Sequence, residues 1–261
     1  MENQGEKMIK ADKVNAYYNQ FTDSYLSTYG EVIQAFRPAN TQDLHEYVID
    51  SAALSSGQHI LDAGCGVGGP ACYFSQKLGV QIEGITISEK QVELANQLAK
   101  EKGLSTQCRF TQGDYHDLST IYKSKQFDCI LFLESLGHAE NPDRVLSEAV
   151  KTLKVGGSIY IKDFFPFEIE DPKLKVLHQR VIDAINESYC YNVLDLNATI
   201  SSARKNGLQI DYIRKFDFQD DITARFDFEQ QNQIDLFGEL EEFRVAEWLE
   251  LKFSLPEYPL F

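Results

Sequence analysis

This chain lacks the residue patterns that several function classes need. Its five cysteines and five histidines show no CxxC or HExxH spacing, so no metal site is expected. The cysteines (Cys65, Cys72, Cys108, Cys129, Cys190) are odd in number, which suits reduced, buried thiols of a cytoplasmic protein. Cations are scarce: 25 Lys and Arg stand against 40 Asp and Glu, a net charge of −15. Nucleic acid and anionic membrane surfaces are held by clustered Lys and Arg, so neither is an expected partner. No apolar run reaches the roughly 18 residues that mark a membrane span. The opening MENQGEKMIKADK has no apolar signal core, and there is no internal repeat or low-complexity tract. What remains is an ordinary globular composition, 43% hydrophobic over 261 residues, enough for one large α/β domain.

The informative run is HILDAGCGVGG at 59–69. A short apolar strand ends in Asp62. Gly64, Gly66, Gly68 and Gly69 follow, and Pro70 opens a helical pattern. A strand, a glycine turn and a helix start form a nucleotide cradle, because bare backbone and unpaired N–H groups face the ligand. Gly64-x-Gly66-x-x-Gly69 also fits a dinucleotide fingerprint. That fingerprint wants an acid at the end of the second strand, whereas VQIEGITISEKQ (80–91) ends its strand at Thr86-Ile87-Ser88 and keeps Glu83 in mid-strand. Further strands are predicted at 80–87, 107–111, 127–133 (FDCILFL), 157–163 and 208–216, with a closing strand in WLELKFSL at 248–255.

Helices are expected between these strands. One covers much of 10–37, one starts at Thr41, one follows the cap Ser88, one follows Asn141-Pro142 and ends before Gly156, and one covers 195–206. The alternation implies an α/β fold, a doubly wound, seven-stranded, mostly parallel sheet in a single domain. It divides into a helical cap (10–55), a core (56–163), a segment at 164–195 read as an inserted lid against the alternative of a long helical connection, and a C-terminal part (196–261). The acidic stretch 227–242 is a candidate docking or dimer helix, which would make a homo-oligomer, or else a solvated helix face.

DAGCGVGG, the FD…E strand and LKVGG at 153–157, at these distances, resemble the class I S-adenosylmethionine (SAM) dependent methyltransferases over roughly residues 15–216. Val155 stands where that family usually has proline, which should matter little because Gly156 and Gly157 make the turn. The resemblance implies SAM as cofactor and a fold of the Rossmann-like class. It places the methionine half over Gly64 and Gly66, with Asp62 orienting the turn or accepting from the ammonium group. GITIS…Q is similar to strings in cyclopropane synthases and in sterol and tocopherol methyltransferases, which assigns Thr86, Ile87 and Gln91 to ribose and adenosine. Asp114 would accept from the adenine amino group and Tyr115 would pack on the ring. Tyr18 and Leu133 complete the implied cofactor set.

Two further strings narrow the acceptor. NAYYNQFTDSYLSTYG (15–30) resembles the YYDxxTxxYxxxxG segment of sterol C-methyltransferases, and LESLGHA (133–139) resembles their IEATCHA string. The chemistry fits: methylating an alkene carbon makes a carbocation, which needs shielding from water, stabilisation and then proton removal. By that reading Glu134 is the catalytic carboxylate and His138 its partner or relay. Tyr17, Tyr25, Phe36, Phe164 and Phe165, with Arg37, line the acceptor site. Sterol methyltransferases are longer at both ends, so a smaller prenyl acceptor is expected. A diphosphate acceptor would call for Mg²⁺ or local cations, with Arg37, Arg180, Arg204, Arg214 and Arg225 as candidates. The alternatives are an N- or O-methyltransferase of a small molecule, a non-catalytic SAM-binding module and, more distantly, a dehydrogenase on the same glycines.

Overall fold

The computed structural model describes residues 10–238, 240 and 243–257. Seven strands form one sheet in the order β3-β2-β1-β4-β5-β7-β6. They are β1 (His59–Ala63), β2 (Gln81–Thr86), β3 (Cys108–Gln112), β4 (Phe127–Leu133), β5 (Leu153–Pro166), β6 (Gln209–Lys215) and β7 (Ala246–Ser254). The first five strands pair in parallel, and β7 inserts antiparallel between β5 and β6. The central strands are buried on both faces, which is why they read as unbroken apolar runs. Side-chain alternation divides them between two cores: Ile60 and Leu131 enter one, Leu61, Ile130 and Phe132 the other. Strand order reverses between β1 and β4, so the crevice at their carboxyl ends is where an open α/β sheet binds ligands.

The helices start where the sequence supplies caps. Asn40 caps α2 (Thr41–Ala52), Ser88 caps α4 (Glu89–Glu101), Asn141 caps α6 (Pro142–Thr152), Asp171 caps α7 (Pro172–Ser188) and Asp195 caps α8 (Leu196–Lys205). Between α2 and α4 lies α3 (Gly69–Leu78), which opens at the glycine turn with Pro70 in its first turn. The short α5 (Leu118–Ile121) precedes β4.

Four segments depart from the sequence reading. The first helix, α1 (Lys10–Tyr29), stops at Gly30, whose left-handed φ of +66° releases an irregular segment over 30–40. Helix α6 ends at Thr152 because Leu153 already pairs with Phe127, so β5 begins earlier than expected. At its other end β5 continues to Pro166, paired with β7 through Phe164↔Trp248 and Phe165↔Glu247, and the expected lid reduces to α7 and its flanking loops. The stretch 227–242 is no continuous docking helix: α9 (Thr223–Gln231) ends early, its Phe228 buried against Tyr25 and Tyr29, while residues 239, 241 and 242 lie outside the described residues.

Candidate active site

The glycine turn is built by backbone. The N–H groups of Gly64 and Cys65 both donate to the Ile85 carbonyl, at 2.8 and 3.1 Å, which ties the end of β1 to β2. Gly64 has φ +89°, and a Cβ there would sit 2.4 Å from Ser135 Cβ, so the turn closes against the segment after β4. Asp62 receives neither turn amide, contrary to the expected turn-orienting role. It is 2% exposed, and burial pushes its carboxyl up to about 7.

A narrow cavity opens above this turn. Gly64, Gly66, Thr86, Ile87, Gln91, Asp114, Tyr115 and Leu133 line it, together with Tyr18 of α1. Asp62 is not part of the lining. The Thr86 hydroxyl donates to Gln91 Oε1 at 2.7 Å, while Gln91 Nε2 is buried without a partner. Asp114 uses one carboxylate oxygen for the His116 N–H (2.8 Å) and the His116 ring (2.6 Å). Burial by itself would raise Asp114, but the His116 hydrogen bonds outweigh it and hold the carboxyl below its usual range. Tyr115 donates to the Ser135 carbonyl at 2.9 Å, which fixes its ring in the wall.

These residues fit a nucleoside with a sulfonium amino-acid tail. An orphaned amide donor, a second Asp114 carboxylate oxygen and an open backbone turn are the groups such a ligand would satisfy. The free space is about 70 Å³. That is below the roughly 300–1,000 Å³ of typical small-molecule sites, and α1 contributes Ala11, Val14 and Tyr18 to the walls.

A second, larger cavity of about 1160 Å³ lies beyond. Its walls carry Tyr25, Tyr29, Phe36, Phe164, Tyr189, Tyr191, Phe216, Phe218 and Trp248, drawn from α1, β5, β7 and the loops between elements. The rings support one another: Tyr25 stacks on Phe228 at 4.1 Å, Phe36 on Trp248 at 5.1 Å and Phe164 on Tyr191 at 5.3 Å. The two cavities share Tyr18, Ile33, Glu134 and His138.

At that junction His138 Nδ1 lies 3.1 Å from the Cys190 carbonyl, which can only accept, so the proton is assigned to Nδ1. Nε2 then accepts from the Tyr18 hydroxyl at 2.6 Å. Burial lowers His138 to about 4, so the ring is neutral at pH 7. Glu134, at φ +56°, is fully engaged. It accepts the Ala35 and Phe36 N–H groups at 2.6 and 3.2 Å and pairs with the buried Lys162 ammonium.

Three residues read as acceptor contacts lie elsewhere. Phe165 follows Phe164 on one strand, so its side chain points to the opposite face and is buried in the far core. Tyr17 sits behind Tyr25, hydroxyl to hydroxyl at 2.8 Å, outside the lining. Arg37 donates to the Tyr29 and Val32 carbonyls at 3.0 and 3.1 Å and braces its own loop. Of the other arginines considered for a diphosphate, Arg214 pairs with Glu250, Arg180 and Arg204 are exposed, and Arg225 lines the larger cavity. Sequence reasoning missed Ile33, Lys162, Tyr191 and Trp248. A Lys-Asp pair inside the apolar run SIYIKDFF and the single tryptophan were the available signals. Among the described residues, no group of three His, Cys, Asp or Glu side chains is placed to hold a metal ion, and no helix is long and apolar enough to cross a membrane.

A family model described as a methyltransferase domain matches residues 54–216. The chain belongs to that methyltransferase family. The sterol 24-C-methyltransferase of Pneumocystis carinii is 34% identical over 148 residues, 54% of this chain and 39% of that protein. The sterol 24-C-methyltransferase of Debaryomyces hansenii is 28% identical over 220 residues, 79% and 56%. This methyltransferase thus spans about half the length of the curated relatives it matches. Among solved structures, the cyclase SpnF superposes with a TM-score of 0.76 at 23% identity, covering 94% of this chain and 97% of that one. The geranyl diphosphate C-methyltransferase of Streptomyces coelicolor superposes at 0.71 and 15% identity, covering 95% and 99%. At these identities the structural likeness is one of fold, the class I, SAM-dependent methyltransferase fold.

Proposed function

We propose that this methyltransferase moves the methyl group of SAM to an alkene carbon of an isoprenoid, through a carbocation. The observation that carries the reading is the junction: a cleft over the glycine turn and a large aromatic cavity share Tyr18, Ile33, Glu134 and His138. SAM bound in the cleft supplies an electrophilic methyl group. The free space of about 70 Å³ is too small for SAM, so the cleft walls, to which α1 contributes Ala11, Val14 and Tyr18, must move apart for it to enter.

An alkene needs no proton removed before it is methylated, but it carries positive charge afterwards. Ring faces at the walls attract that charge and keep water out. A proton must then leave the carbon beside the cation. The lone pair that can take it is His138 Nε2, reached through Tyr18. Tyr18 oxygen accepts the proton while its own proton passes to Nε2, and the C–H electron pair closes the new double bond. The resulting imidazolium keeps its Nδ1–H on the Cys190 carbonyl. Glu134 is committed to Lys162 and two amides, so its part is to hold the junction and stabilise charge rather than to remove the proton.

The names of the relatives support an isoprenoid acceptor, sterol in one case and geranyl diphosphate in the other. A small amine or phenol, the acceptor of an N- or O-methyltransferase, would leave most of the about 1160 Å³ cavity unfilled. For a diphosphate, Arg225 and Arg244 are the lining arginines that would face it, and added Mg²⁺ would supply the remaining charge. The test is mass spectrometry of products from SAM with a panel of prenyl diphosphates and sterols, with and without Mg²⁺. A product heavier by one methylene, bonded to carbon, is expected. Methylated amines or phenols in its place would overturn the acceptor class. An isomer of unchanged mass formed without methyl transfer would assign the site to a cyclase.

A further inference from the structure

Lys162 is a charge in the middle of an apolar strand, with a fully buried side chain. Its Nζ donates to the Phe36 carbonyl at 2.6 Å and pairs with Glu134. It also lies 5.7, 5.6 and 5.5 Å from the ring centres of Phe36, Phe216 and Trp248, all walls of the larger cavity. Glu134 answers from β4: its own N–H donates to the Lys162 carbonyl at 2.7 Å, and its carboxylate takes the Ala35 and Phe36 amides. Three contacts therefore converge on residues 35 and 36, two steps from Ile33 in the partition between the cavities. A buried ion pair stabilises a fold little more than an apolar pair of the same volume. What the charged pair adds is placement, since each partner's hydrogen bonds have one geometry.

We propose that Lys162 is a positioning residue, whose ammonium holds Glu134 and the Phe36 carbonyl so that segment 30–36 stands as the partition between cofactor and acceptor. The inference rests on the two-cavity reading of the site. Its function is to set where the methyl group crosses, without touching either ligand.

The experiment compares Lys162→Met, Glu134→Gln and the double variant by hydrogen exchange of the amides of residues 30–37, by S-adenosylhomocysteine affinity and by steady-state kinetics with the acceptor that the wild type methylates. Lys162→Met should exchange those amides at least tenfold faster and lose at least tenfold in kcat. Its KM for SAM and its S-adenosylhomocysteine affinity should stay within threefold. The double variant should lose no more kcat than Glu134→Gln, because one residue acts through the other. Wild-type exchange rates in Lys162→Met, or losses that multiply in the double variant, would overturn the proposal. Should Lys162→Met fail to fold, the double variant buries no unpaired charge and its exchange over 30–37 decides. Failure of the alkene assignment would appear in the wild-type products and leaves the exchange comparison readable.

Discussion

The two cavities are built in opposite ways. The cleft is backbone and strand ends: a glycine turn after β1, Thr86 at the end of β2, Asp114 and Tyr115 after β3, all within 52 residues of one βαβ progression. The larger cavity is side chains from distant segments, and Glu134 in its wall pairs with the buried Lys162, which lines neither cavity. A parallel sheet with reversed strand order brings strand ends together wherever it forms, so the first site comes with the fold. The second depends on which rings the cap, the loop after α7, α9 and β7 happen to carry. The contrast implies that the cleft resists side-chain change but not backbone change, and the cavity the reverse.

The largest effect should come at the junction. His138→Gln removes the imidazole lone pair that Tyr18 donates to and should lower kcat by roughly 10²–10⁴-fold, with S-adenosylhomocysteine affinity nearly unchanged by calorimetry. Equal losses in affinity and kcat would place His138 with the cleft instead.

Acid stability probes one histidine on each side. His45, tilted against the Tyr73 ring at 4.4 Å, and His138 are both lowered to about 4 by burial. An unfolded histidine titrates near 6.5, so the folded state binds fewer protons between the two values. Stability is present in full above about pH 6.5 and falls as pH drops toward 4, by about 3 kcal/mol for His45. Urea midpoints at pH 7 and pH 4.5 should therefore differ, and His45→Phe should shrink the difference by a large part. An unchanged difference would remove His45 from the account.

Gly64→Ala attacks the cleft through its backbone. A Cβ 2.4 Å from Ser135 at φ +89° should cost about 2 kcal/mol, some thirtyfold in S-adenosylhomocysteine affinity, and leave the aromatic cavity intact. Thr86→Val tests the same cleft through a side chain and should have the smallest effect. Losing one hydroxyl hydrogen bond is worth about 1 kcal/mol, about fivefold in affinity by the same titration. If Thr86→Val weakened binding more than Gly64→Ala, the contrast between backbone and side-chain sites would fail.

The sequence carried the cleft well because its signals are local. HILDAGCGVGG encodes a strand, a turn and a helix start in one run, and each later contribution sits at a strand end marked by where an apolar stretch stops. The acceptor side was legible only as residue types. That aromatics gather before and after the sheet is visible in the chain. That Phe164 faces the cavity while Phe165 turns away depends on strand β5 continuing into pairing with β7. Arg37, read as an acceptor contact, spends its donors on carbonyls of the turn after α1, which no pattern at positions 29–37 announces.

By itself, then, the sequence determined the α/β alternation, the glycine turn and the methyltransferase family. Each is set by hydrophobic period, capping or backbone freedom over a few neighbouring residues. The tertiary structure decided the partners of Glu134, the tautomer of His138 and which rings meet. Those depend on sheet register and on the approach of segments as far apart in sequence as Tyr18 and His138, distances over which chain order carries no geometry.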